Sequence, residues 1–218
     1  MLNIVLMGPP GAGKGTHALW IAKDYGLPHI STGDMFREAM ASGSELGNKI
    51  KAIVNGGGLV SDDLTCALVK ERLSRKDCEN GYLLDGFPRT IAQAEALKTF
   101  GKEINREVNT ILNISCPDEL LIERIAGRRV CPKCGASYNV TFMPPKKQEG
   151  ICDECGTPIV QRKDDNAESF KVRLANYYKS TAPLMEFYKG EGLLTDFDGS
   201  IGAADLKKAL VAFLEEHK

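Results

Sequence analysis

Gly8-Pro9-Pro10-Gly11-Ala12-Gly13-Lys14-Gly15-Thr16 crowds glycines around one lysine. The chemistry that suits this stretch is the holding of phosphate. Glycines let successive backbone N–H groups turn inward with no Cβ in the way. The helix pattern that follows, Ala18-Leu19-Trp20-Ile21-Ala22, adds unpaired N–H groups and a positive dipole end. Lys14 supplies a mobile cation for the outer phosphates of a nucleotide. The generic triphosphate loop has Ser or Thr directly after its lysine; here Gly15 intervenes and the hydroxyl belongs to Thr16. A helix cap with no ligand would need neither the glycines nor the lysine.

Tyr82-Leu83-Leu84-Asp85-Gly86-Phe87-Pro88-Arg89-Thr90 is the second such stretch. Ligands of parallel sheets sit at the carboxyl ends of strands, and Asp85 closes an apolar strand. A carboxylate there suits Mg²⁺, directly or through waters, and Arg89 suits a second phosphate. Blander readings stand beside these. Asp before Gly also forms turns, and Thr90-x-x-Gln93 is a capping box, which makes Gln93 a cap on local grounds. Arg37, Arg89, Arg124, Arg128, Arg162 and Arg173 are each, alone, ordinary solvated residues. As a set beside a phosphate loop they fit a site for several phosphates, because a guanidinium binds oxygens in pairs. His17, His29 and His217 are dispersed, pair with no cysteine or spaced carboxylate, and receive no catalytic role.

Cys131-x2-Cys134 and Cys152-x2-Cys155, with residues 135–151 between them, have zinc-ribbon spacing. Four thiolates fill a tetrahedral site and leave no position for substrate, so the expected role of Zn²⁺ is structural. A redox pair of C-x-x-C motifs, or a ribbon that binds nucleic acid with help from Lys146 and Lys147, are the alternatives. Cys66, Cys78 and Cys116 are scattered and fit buried or neutral thiols.

The elements that must position these residues alternate. Short apolar strands are expected at Leu2 to Leu6, Tyr82 to Leu84, Val108 to Ile114 and Leu193 to Thr195, with a brief extended piece at Pro28-His29-Ile30. Helices are expected from Thr16 to about Asp24, then over about 33–42, 44–55, Ser61 to Arg75, Thr90 to Phe100, Pro117 to Arg128 and 202–216. A long helix from about 166 is interrupted at Pro183. Ser61-Asp62-Asp63 are expected to cap their helix. Strands alternating with helices predict an α/β fold, a parallel sheet covered on both faces. Residues 130–161, rich in cysteine, proline and lysine and poor in apolar residues, look like a small inserted domain.

A chain of 218 residues with 43% hydrophobic and 26% charged residues is ordinary for a globular protein. Net charge −1 gives no bulk attraction to nucleic acid or an acidic membrane. No apolar run approaches membrane-spanning length, and the N-terminal run leads straight into the phosphate loop without a signal peptide. A cytoplasmic protein is expected.

The phosphate loop, together with Leu83-Leu84-Asp85-Gly86-Phe87-Pro88-Arg89-Thr90 and Gln93, resembles the adenylate kinases in their zinc-lid bacterial form. Ser31-Thr32-Gly33-Asp34-Met35-Phe36-Arg37, Gly58-Leu59-Val60 and Arg162-Lys163-Asp164-Asp165 match as well, so that the likeness covers essentially the whole chain. It implies a P-loop NTPase-like core of residues 1–30, 61–126 and 165–218, an AMP-binding flap of 31–60 and a zinc-bound lid of 127–164. The implied reaction is ATP + AMP ⇌ two ADP with Mg²⁺, which maintains adenine nucleotide balance in a monomer with no nucleic-acid or membrane partner. Gly11, Ala12, Gly13, Lys14, Gly15 and Thr16 would hold the ATP phosphates, with Arg128, Ser137, Tyr138 and Ile201 completing that site. Thr32, Arg37, Gly58, Leu59, Val60, Gly86, Phe87, Pro88, Arg89 and Gln93 would hold AMP. Lys14, Asp85, Arg89, Arg124, Arg162 and Arg173 would act on the phosphoryl group in transfer, Arg162 and Arg173 also touching substrate. Cys131, Cys134, Cys152 and Cys155 would hold the lid zinc. Departures are visible: His17 stands where the family often has Gln, the lid loop is about one residue longer than the family pattern, and Cys155 stands where the family often has Asp. A kinase for another nucleoside monophosphate, a nucleotide-dependent nucleic-acid binder and a nucleotide-gated switch remain competing readings.

Overall fold

The computed structural model describes residues 1–217; Lys218, the end of the expected core segment, lies outside the described residues. In chain order the elements are β1 (Leu2–Met7), α1 (Lys14–Tyr25), β2 (His29–Ser31), α2 (Thr32–Ala41), α3 (Glu45–Asn55), α4 (Asp62–Leu73), β3 (Gly81–Asp85), α5 (Ile91–Glu103), β4 (Thr110–Ser115), α6 (Asp118–Gly127), β5 (Arg128–Val130), β6 (Ser137–Asn139), α7 (Ala167–Asn176), α8 (Leu184–Gly190), β7 (Leu194–Asp198) and α9 (Ala203–Glu216).

β1 is buried along its whole length because helices cover both of its faces. Leu2, Ile4 and Leu6 pack with Ile21 of α1, Leu121 of α6 and Leu210 of α9. Val5 and Met7, on the opposite face, pack with Val69 of α4, Leu97 of α5 and Leu184 of α8. The sheet order is β2-β3-β1-β4-β7, all parallel. The chain leaves β1 for one side of the sheet and later crosses to the other, so a crevice opens at the carboxyl ends beside β1. Register brings those ends level: Leu6 and Ser31 both pair with Asp85, and Met7 pairs with Asn113.

Two smaller clusters lie apart from the sheet. Phe36, Ile50 and Val60 form one between α2 and α3. Cys131, Tyr138 and Cys152 form the other, beside the antiparallel pair β5–β6. Neither strand was expected; three-residue strands in so polar a segment carry no alternation that a sequence could show.

Two local expectations need correction. Ser61 occupies the N-cap of α4, but its side chain caps nothing. The carboxylate of Asp62 instead accepts from Thr90 Oγ1 (2.9 Å) and Gln93 Nε2 (2.7 Å). The long helix from 166 breaks before Pro183: α7 gives way to a π turn over Tyr177–Thr181, with Ala182 N–H reaching back to Tyr177 O. Proline has no N–H to continue the ladder and crowds the carbonyl a turn earlier, so the hydrogen bonds shift register ahead of it.

Candidate active site

A cleft of about 640 Å³ lies over the carboxyl ends of β1, β2 and β3. Its floor is the loop after β1. Gly8 has φ 136, and a Cβ there would sit 2.3 Å from Ile114 O, so only glycine lets the loop pass β4 this closely. Gly13 (φ 99) opens α1 with no side-chain cap, which leaves the first N–H groups of the helix facing the cleft for an anion. Lys14 Nζ donates to Gly8 O (2.7 Å) and Pro9 O (2.8 Å). Burial pushes its pKa down to about 8; Asp85 opposes this, and Arg89, Arg173 and Arg128 add to it.

Asp85 lies across from the loop. Burial disfavours its charge, but His29, Lys14 and Arg89 prevail and hold it below the usual carboxylate range. His29 Nε2 is 3.6 Å from Asp85 Oδ2, a contact too long for a hydrogen bond. His29 and Asp85 lie on adjacent strands, and only sheet pairing brings them together.

Arg89 is pinned from several directions. Its Nε donates to Gly86 O (2.7 Å) and its backbone N–H to Gln93 Oε1 (2.7 Å), while its carbonyl accepts from Thr181 Oγ1 of the π turn (2.9 Å). Thr32 Oγ1 donates to the same Gly86 O (2.9 Å). Gln93 also sends its N–H to the Thr90 hydroxyl, as a capping box requires, but its amide oxygen meets the N–H of Arg89 rather than that of Thr90.

The other arginines converge on the cleft wall. Arg128 Nε donates to Asp165 Oδ2 (2.8 Å), with a second bond through Nη2. Arg173 Nη1 donates to Asp164 Oδ2 (3.0 Å). Arg37 pairs with Asp34. Arg162 Nε is buried without a hydrogen-bond partner among the described residues. Burial pushes Arg162 and Arg173 down to about 10, with Arg128 adding to both. Cations lower one another's pKa when too few anions separate them. This cleft therefore holds an excess of desolvated positive charge that a polyphosphate would neutralise.

Gly58, Leu59, Val60, Pro88 and Ser137 also border the cleft. Arg124 lies at its edge, with Nη2 donating to Gly199 O (2.8 Å). Two expected residues, Phe87 and Ile201, do not border the cleft. The side chain of Phe87 is in the sheet core. Ile201 is 46% exposed and is not part of the cleft lining, while its neighbours Ser200 and Gly202 border the cleft. Tyr138 borders the cleft, but its hydroxyl turns to Cys152 Sγ (3.3 Å) and accepts the Asp153 N–H (2.8 Å). Sequence reasoning missed His29, Asp62 and Thr181; their only signal is proximity across elements.

The four zinc-spaced cysteines do meet. Their sulfurs lie within 4.8 Å of one another, with the Cys131–Cys155 and Cys134–Cys152 pairs at 3.4 and 3.5 Å. Those separations are too long for disulfides and close to the ~3.8 Å edge of a tetrahedron of thiolates around zinc. Each C-x2-C closes in the same turn: Gly135 N–H reaches Cys131 O (3.0 Å), and Gly156 N–H reaches Cys152 O (2.9 Å). The Tyr138 hydroxyl holds the Cys152 thiol down, while burial and then the neighbouring thiols push Cys134 up, as expected of sulfurs crowded together. The donor set and its spacing fit Zn²⁺.

His17 is buried beside the loop, and burial, then Arg124 and Lys207, push its pKa down to about 4 from 6.5. Folding therefore favours the neutral ring. Its contribution is complete above about pH 6.5 and shrinks as pH falls towards 4, because the unfolded chain takes up the proton first. The expected loss over that window is up to about 3 kcal/mol. Urea unfolding at several pH values should show stability falling on acidification, with a flatter fall in His17→Gln; equal slopes would rule this out.

A glycine-rich loop after the central strand, a carboxylate on the neighbouring strand and a converging ring of arginines define a nucleotide kinase of the α/β class. A family model described as adenylate kinase matches residues 6–193. An adenylate kinase of Clostridium beijerinckii is 49% identical over 217 residues, all of both chains, and one of Shouchella clausii is 50% identical over the same span. One of Archaeoglobus fulgidus is 46% identical over 217 residues, again all of both chains. The chain belongs to the adenylate kinase family.

Proposed function

We propose that this protein transfers a phosphoryl group reversibly from MgATP to AMP, giving two ADP. The observation that carries the reading is the buried cation excess between two distinct nucleotide ends. One end is the glycine loop. The other is the pocket formed by Thr32, Gly86, Arg89 and Gln93.

An oxygen of the AMP phosphate attacks the γ-phosphorus of ATP in line. That nucleophile is already anionic, so no general base is required. Catalysis is then positioning and charge neutralisation by Lys14, Arg89, Arg124, Arg162 and Arg173. Asp85 fits Mg²⁺: it is a hard carboxylate whose Oδ2 would lie 3.7 Å from a Cβ on Gly15 of the loop. When bound, Mg²⁺ would neutralise charge on the ATP phosphates.

We assign residues 127–164 as a lid that excludes water, 31–60 as the AMP flap, and 1–30, 61–126 and 165–218 as the core. The separate apolar clusters at Phe36-Ile50-Val60 and Cys131-Tyr138-Cys152 support that division. Arg128 and Arg162, at the two ends of the lid, suit a clamp that forms as it closes. We assign the cysteine cluster a structural Zn²⁺. Among the described residues no helix is long and apolar enough to cross a membrane. A cleft with both nucleotide ends in one chain suits a monomer. Substrates from the adenine nucleotide pool and free cysteines suit the cytoplasm.

Supplying MgATP with AMP, GMP, CMP or UMP in turn tests the reading. AMP should be the preferred acceptor. A better rate with another monophosphate would reassign the substrate, and transfer to none would refute the reaction.

A further inference from the structure

His17 is 3% exposed, yet it borders the cleft. Trp20 Nε1 lies 3.0 Å from His17 Nδ1. An indole N–H only donates, so Nδ1 must offer its lone pair, and the proton of the neutral ring then resides on Nε2. The indole is itself held: the Lys207 ammonium sits 4.5 Å above it, and its ring meets His17 edge-on. His17 Nε2 has no hydrogen-bond partner among the described residues and is not one of the sealed-off polar atoms. It opens beside the phosphate loop, 3.9 Å from where a Cβ on Gly13 would stand. The charged groups that face the ring, Arg124 and Lys207, are both cations. A fixed N–H among cations, next to a phosphate loop, calls for an oxygen-rich ligand.

We propose that Trp20 locks His17 in the Nε2–H tautomer, and that this N–H donates a hydrogen bond to the phosphate–ribose part of the nucleoside triphosphate held by the loop. His17 is then a binding residue for the phosphoryl donor and not for the acceptor monophosphate, and Trp20 is its positioning residue. The inference rests on the phosphotransfer reading only for the presence of a triphosphate in the loop.

The test begins with ¹⁵N-histidine NMR of the wild-type protein. Nδ1 should be unprotonated and Nε2 protonated, and the Nε2 signal should shift with ATP but not with AMP. Calorimetry follows. His17→Phe should weaken ATP binding by about three- to tenfold, the size of one neutral hydrogen bond, and leave AMP binding unchanged. His17→Gln, which restores a side-chain N–H, should recover ATP affinity. Trp20→Phe should mix the tautomers and weaken ATP binding in the same sense. A proton on Nδ1, unchanged ATP affinity in His17→Phe, or equal losses for ATP and AMP would each overturn the proposal. The wild-type NMR decides the tautomer even if His17→Phe fails to fold. A wild-type protein that binds ATP as described but transfers no phosphate to AMP would refute the proposed function and leave this inference standing.

Discussion

Arg89→Ala should lower turnover about a thousandfold, the scale of losing a preorganised cation at a transferring phosphoryl group, while Tm moves by only about 4 °C or less. The asymmetry follows from the surroundings of the side chain. Among the described residues Arg89 makes one side-chain hydrogen bond, Nε to Gly86 O, and its contacts with Gln93 and Thr181 run through its backbone. Alanine keeps the backbone contacts. It also removes a buried cation whose charge burial disfavours most, with Asp85 and Asp164 favouring it and Arg37 opposing it. The stability lost with the Gly86 bond is thus partly offset by relieved desolvation. Arg89→Lys should fall between the two, because an ammonium keeps the charge but not the two-pronged geometry. Steady-state rates at saturating nucleotide, with melts of the same samples, check this. Turnover near wild type in the alanine variant would remove Arg89 from the transfer step.

Stripping zinc should lower Tm by about 10 °C or more, and phosphoryl transfer should persist below the new melt. The segment around the sulfurs has a small apolar cluster, Cys131, Tyr138 and Cys152, two of whose members are themselves proposed ligands. Without a metal, what holds it is polar: the short β5–β6 pair, the isolated bridges Val130–Val160, Asn139–Met143 and Ile151–Pro158, and hydrogen bonds such as those of the Asp153 carboxylate with the N–H groups of Lys146 and Lys147. Burial alone cannot offset the cost of ordering it. The four thiolates would leave zinc no open position for substrate, so the chemistry should not need it. Calorimetry and rate measurements before and after chelation, with zinc stoichiometry, check both halves. Loss of turnover in a chelated protein that is still folded would show that the metal does more than hold the segment together.

Much of the site is legible in the chain because its parts are local. The phosphate loop is a contiguous run, and backbone N–H groups facing a phosphate need only glycines at the right places. The cysteines announce themselves by spacing, since each C-x2-C closes in a turn of its own. Asp85 is recognisable because an apolar run ends on it, and a parallel sheet presents its strand ends to ligands. Capping is only half legible. Thr90 caps the Gln93 N–H but the Gln93 side chain goes to the Arg89 N–H, and Ser61 does not cap while the neighbouring Asp62 accepts from Thr90 and Gln93 at another helix.

The sequence by itself therefore determined the α/β class, the phosphate loop, the zinc-spaced thiols and the kind of charge the site would carry. These depend on residue type and short-range spacing, which the chain states directly. Only the tertiary structure decided which cations share the cleft, that His29 meets Asp85, that Thr181 holds Arg89 through a π turn, and that Tyr138 turns its hydroxyl to the sulfurs. Sheet register, strand order and the packing of helices over the sheet set those contacts. They join residues far apart in the chain, and no local pattern encodes the distance between them.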